Sequence, residues 1–189
     1  MSENILNINN REEFRNWLMK NASCEKECYI IVQKGKPTDS NAFYYIDAVE
    51  EALCFGWIDS TYDIINGIHM QRFAKRRKNS NWTELNKERV RRLEKLGLMT
   101  DLGRKVLPKM GSRSFKIDKD IADALKKARV WSKFKSFPKL YQRIRASNLA
   151  FYKKRDFKIY ENMLNHLILT TKNGEMFGQW NDYGRLLNY

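Results

Sequence analysis

A single carboxylate, Asp59, follows Trp57 in "GWIDS", and the guanidinium groups of Arg72, Arg76 and Arg77 come next in "QRFAKRR". One acid among arginines is the composition of an anion site: forked N–H donors bind phosphate or carboxylate through paired bonds, and the acid orients them. The same residues serve equally as a structural ion pair pinning a ribbon to its helices. In a third use, an ionised and reachable Asp59 is the general base for a small anionic substrate. Arg76 and Arg77 then hold charge, and Trp57 or Trp82 forms a wall. Both tryptophans suit either stacking on a base or core packing, and Ser80 and Asn86 suit either caps and turns or ligand contact.

These side chains need a scaffold. Asn66-Gly67 between β-branched flanks predicts a hairpin with a type I′ turn, because both turn residues must take positive φ. With a two-residue loop Ile65 faces Ile68, Asp59 faces Ala74 and Trp57 faces Arg76. Asp59 then shares its face with Arg72 and Arg76 as diagonal neighbours. Ahead of the hairpin, Tyr44, Tyr45, Ala48, Val49, Ala52, Leu53 and Phe55 make a broad helical stripe from Ser40, closed by Gly56 as a left-handed cap. Phe14, Trp17 and Leu18 mark an opening amphipathic helix, and "CYIIVQKGKP" reads as a strand.

The remainder reads as helical. Ser80 or Thr83 caps a helix carrying Leu85, Val90, Leu93 and Leu96 as far as Gly97, and Thr100 starts a short one. Asp118 caps "KDIADALKKA", Ser136 suits a further start, and a long segment from about Leu149 ends near Asn173-Gly174. The fold class is α+β: a small antiparallel sheet with a β-hairpin in the N-terminal half, packed with a largely helical C-terminal half.

Composition narrows the partners. The net charge is +14, and it is uneven: residues 1–71 hold six basic and eleven acidic side chains, residues 72–189 hold 30 and 11. A one-signed surface gathers anions, so an anionic small molecule or nucleic acid is the expected partner, with a solvated lysine-rich surface as the plain alternative. Between Lys126 and Lys158 twelve basic residues face one acid, Asp156, with Trp131, Phe134, Tyr141, Phe151 and Tyr152 interleaved. That mixture suits single-stranded nucleic acid, although most of these rings are expected to be buried helix faces. No apolar run approaches the length of a membrane span, and no membrane insertion is expected. An odd count of three cysteines argues against a disulfide framework, and Cys24 and Cys28 lack further zinc ligands. Cys54 sits on the apolar stripe and reads as packing. No glycine-rich phosphate loop is present, so no cofactor is expected.

The stretch "EALCFGWID" (Glu51 to Asp59), taken with Phe73, Arg76, Arg77, Ser80, Trp82 and Asn86, resembles the YdeI/OmpD-associated family, also called bacteriocin-protection proteins. Lys75 and Lys78 stand where that family has prolines. The resemblance covers the chain from about Trp17 to about Leu169; a length of 189 residues with 42% hydrophobic content predicts one domain over residues 1–189, with an α+β part to about 115 and a helical part from about 116. The opening "MSENILNINN", with no basic region before an apolar core, reads as that of a cytoplasmic protein, and the resemblance implies a bacterial protein with no assigned reaction and an indirect role in bacteriocin tolerance or envelope stress. The expectation is non-enzymatic binding of a phosphate-bearing or nucleic-acid ligand. The alternatives are an enzyme using the Asp59, Arg76 and Arg77 pocket, and a protein-binding stress scaffold.

Overall fold

A computed structural model describes residues 4–78, 80–111 and 115–189. The chain divides into two compact units, Met1–Asn81 with Glu88–Lys109, and Trp82–Lys87 with Met110–Tyr189. The first unit carries α1 (Arg11–Asn21), β1 (Glu27–Ile30), α2 (Tyr45–Cys54), β2 (Trp57–Ile65), β3 (Ile68–Lys75), most of α3 (Glu84–Lys95) and α4 (Asp101–Lys105). The second carries α5 (Lys119–Lys127), α6 (Trp131–Ser136), α7 (Lys139–Arg155), α8 (Phe157–Asn173) and a 3-10 turn at Asp182–Gly184. With three antiparallel strands in the N-terminal half and helices dominating the rest, the fold is α+β.

Local chemistry explains the boundaries. Asn10 caps α1 by accepting from the Glu13 N–H, Thr100 caps α4 from Gly103, and Asp118 caps α5 from Asp120. Each supplies an acceptor to a first-turn donor that has no partner within the helix. Gly56 follows α2 at φ +75°, a left-handed position where a Cβ is costly. Helix α2 begins at Tyr45, five residues later than its apolar stripe predicts, and β1 stops at Ile30 rather than running to the Gly35 turn. The long C-terminal segment is two helices. Asp156 takes φ −154° between them, and its carboxylate accepts from the Ile159 N–H to cap α8.

The sheet order is β1-β3-β2. Phe14 of α1 meets Phe73 of β3 with ring centroids 5.5 Å apart, and Trp17 meets Trp57 edge-on at 5.7 Å. Phe14, Leu18, Leu53, Trp57 and Phe73 are buried; each contributes about 1.5–3 kcal/mol by leaving water. The second unit has its own core around Ile121, Leu125, Phe134, Tyr141 and Leu167. Among the described residues, no helix is long and apolar enough to cross a membrane.

Candidate functional site

The hairpin starts as its sequence predicts. Asn66 and Gly67 take φ +51° and +78°, and Ile65 to Tyr62 pair with Ile68 to Gln71. Then the register shifts. Ser60 and Thr61 lie together opposite Arg72, so Asp59 pairs with Phe73, Ile58 with Ala74 and Trp57 with Lys75. One extra residue on one strand is a β-bulge, and it reverses which face every later side chain occupies. The bulge is stitched by side chains: Gln71 Nε2 donates to the Thr61 carbonyl at 2.9 Å, and Arg72 Nη1 donates to Ser60 Oγ at 3.0 Å.

The expected grouping of Asp59 with Arg72 is therefore corrected. Asp59 lies on the face of Phe73 and Trp57, whereas Arg72 is on the other face with Glu27 and Tyr29. There both Nε, at 3.0 Å, and Nη2 of Arg72 donate to Glu27 Oε2. Asp59 accepts instead from Tyr45 at the start of α2, Oη to Oδ2 at 2.5 Å. Arg76 does lie within the field of Asp59. Burial pushes its guanidinium down to about 10, the Asp59 charge acts in the opposite direction, and it stays ionised at neutral pH. Its Nη1 donates to Ser80 Oγ and to the Asn81 carbonyl, both at 3.2 Å.

The other expected residues separate. Trp57 is fully buried, with Nε1 donating to the Ala22 carbonyl at 3.3 Å. Arg77 is exposed. Trp82 and Asn86 belong to the second unit, where Thr83 caps α3 by accepting from the Asn86 N–H at 3.1 Å. The structure thus pairs Tyr45 with Asp59 and Arg76 with Ser80 and the Asn81 carbonyl, with the Asp59 charge acting on Arg76.

A second charged cluster escapes the sequence reading. Glu50 and Glu51 on α2 are 0% and 1% exposed. Arg11 Nε and Arg15 Nη1 donate to Glu51 at 2.5 and 2.7 Å; Arg11 Nη1 and Arg92 Nη1 donate to Glu50 at 2.9 and 2.7 Å. A cleft of about 330 Å³ opens beside it, lined by Arg11, Glu12, Arg15, Glu51, Arg92 and Leu98. Three arginines there meet three carboxylates, since Arg11 also lies 3.5 Å from Asp47, with Glu12 at the rim. The cleft therefore offers no surplus of positive charge to an anion. The signal was an α2 buried on nearly every side, which leaves adjacent glutamates no route to water.

In the second unit many of the basic residues face outward, while Arg143 is paired with Glu84 and Arg145 packs over Tyr141 and Phe177. Lys127, Arg129, Lys135, Lys139, Lys154, Arg155 and Lys158 are exposed, and none has a carboxylate partner among the described residues. Phe134 and Tyr141 are core, as their helical spacing predicts. Trp131, Phe151 and Tyr152 are half-buried, with Lys126 and Lys135 above the Trp131 ring at 5.7 and 5.5 Å from its centroid. No group of three His, Cys, Asp or Glu among the described residues is placed to hold a metal.

Fold and site define an α+β domain whose hairpin charges are mostly paired internally and whose helical unit presents unpaired cations. Residues 6–106 match the model of a domain of unknown function, DUF8412, and the chain belongs to that family. The match covers nearly all of the first unit and ends before the basic helices. No curated protein and no solved structure matches the chain. The resemblance to the YdeI/OmpD-associated family is corrected by this finding, and the role in bacteriocin tolerance that rested on it falls with it. The shared motif is largely what a helix, a left-handed glycine and a buried strand require: Ala52, Leu53, Cys54, Phe55 and Trp57 are all core. Such a corner does not separate one family from another.

Proposed function

We propose that the protein binds a phosphate-rich polyanion, without catalysis, through the exposed cations of its second unit. The observation that carries this reading is the set of unpaired basic side chains from Lys127 to Lys158. That unit holds 18 basic and 8 acidic residues, a balance of +10, against 18 and 14 in the first, a balance of +4. Unpaired surface cations release condensed counterions when they meet a polyanion, and that release drives binding. In this reading Trp57, Asp59, Arg72 and Arg76 hold the fold, and Arg77, just past β3, is exposed. Three free cysteines, two of them buried, suit a reducing compartment such as the bacterial cytoplasm.

Fluorescence anisotropy with labelled oligonucleotides and inorganic polyphosphate, at low and physiological salt, tests the proposal. The triple variant Lys127→Glu, Lys135→Glu, Lys154→Glu should lose at least tenfold in affinity while keeping its thermal midpoint. Equal binding by the variant and the wild type would sink the reading.

A further inference from the structure

We infer that the polyanion is a single-stranded nucleic acid lying along α5, with an aromatic station at each end of that helix. This rests on the polyanion reading and narrows it to one ligand class. Helix α5 has nine residues, so its ends are about 12 Å apart at 1.5 Å per residue. At the C-terminal end stands Trp131, flanked by Lys126 and Lys135, with Lys127 and Arg129 exposed beside it. At the N-terminal end, Lys153 from the last turn of α7 pairs with Asp118 at 3.4 Å and with Asp120. Those pairs bring the α7–α8 corner to the start of α5, and with it Lys154, Arg155, Phe157 and Lys158.

Phe157 is 61% exposed at the first position of α8. Arg155 lies over the neighbouring Phe151 ring, 5.7 Å from its centroid. The two carboxylates on the exposed side of α5 are both taken: Asp120 pairs with Lys153, and Asp123 pairs with Lys126 at 3.2 Å. What α5 and its flanks offer to solvent is therefore net cationic, although Asp156 and Glu161 are exposed as well, with the exposed Phe157 ring at one end and the half-buried Trp131 ring at the other.

That arrangement discriminates between polyanions. Phosphates need only the cations, whereas an exposed ring face gains from a base that is not already stacked on both sides. A duplex keeps its base faces hidden, and bare polyphosphate has none. On binding, one base takes a face of Trp131 and the displaced lysine ammonium moves to the adjacent phosphate. A second base stacks on Phe157. Stacking accepts any base, so the site tolerates sequence.

The test uses the full chain with a labelled single strand of about 12 nucleotides, within the range of known single-strand site sizes. A duplex of equal length and inorganic polyphosphate serve as competitors. Phe157→Ala, Trp131→Ala and Trp131→Phe are compared with wild type, in DNA and RNA. The expected result is preference for the single strand, with each alanine weakening it on the order of tenfold. Polyphosphate binding should be unchanged, and Trp131→Phe should restore most of the affinity. Phe157 is exposed, so Phe157→Ala decides the matter even if Trp131→Ala unfolds the protein. Equal binding of duplex, polyphosphate and single strand, insensitive to Phe157→Ala, overturns this inference and leaves the polyanion reading standing. Binding of none of them at low salt overturns both.

Discussion

Asp59 is the residue whose role changes most between sequence and structure. It accepts from Tyr45 Oη and faces the buried Arg76, so it holds the base of the hairpin to α2. Hydrogen bonds to a charged group are worth about 1.5–3 kcal/mol. Asp59→Asn should therefore lower stability by about 1–3 kcal/mol in a denaturant titration. Polyanion affinity should stay at the wild-type value, because the carboxylate is spent on the fold. Glu51 has a larger effect in store. It is almost wholly buried between Arg11 and Arg15, and breaking a buried pair from one side costs about 3–5 kcal/mol. Glu51→Gln should show a loss of that size as a displaced urea midpoint. The thiols divide by exposure: burial pushes the Cys54 thiol up to about 12 and raises Cys28 as well, while Cys24 is exposed. A thiol reagent at neutral pH should label Cys24 at once and the other two only after unfolding, because the thiolate is the reactive form.

The elements of the first unit meet at two backbone devices. One is the bulge at Ser60 and Thr61, which no glycine or proline in "IDSTYD" announces. The turn was readable because Asn-Gly is a local chemical demand. The bulge was not, because it answers to packing of Trp57 and Phe73 against Trp17 and Phe14 of α1, which lie elsewhere in the chain. The other is the close approach of α4 to the end of α2. Thr100 Oγ1 donates to the Cys54 carbonyl at 2.6 Å, and a Cβ built on Gly103 would fall 2.3 Å from that same oxygen. Backbone cannot give way there as a flexible side chain can. Gly103→Ala should destabilise by about 1–3 kcal/mol, the range for overpacking a filled core, seen as a fall in the thermal midpoint.

At the scale of the whole molecule, charge is the property with a measurable consequence. A single strand touching six of the exposed cations of the second unit should lose affinity with a log–log salt slope of about −4, at roughly −0.7 per phosphate contact. A slope near zero would mean that the ligand is held by something other than its phosphates. The uneven charge, the α+β class, the caps at Thr100 and Asp118 and the Asn66-Gly67 turn were all determined by the sequence itself, since each depends on neighbours within a few residues or on composition. Tertiary structure alone decided which charges meet. Arg72 is 45 residues from Glu27, and Arg92 is 42 from Glu50, separations over which no periodicity or spacing carries information. A one-residue bulge then moved Asp59 away from Arg72, because side chains alternate along a strand and a single insertion exchanges its faces.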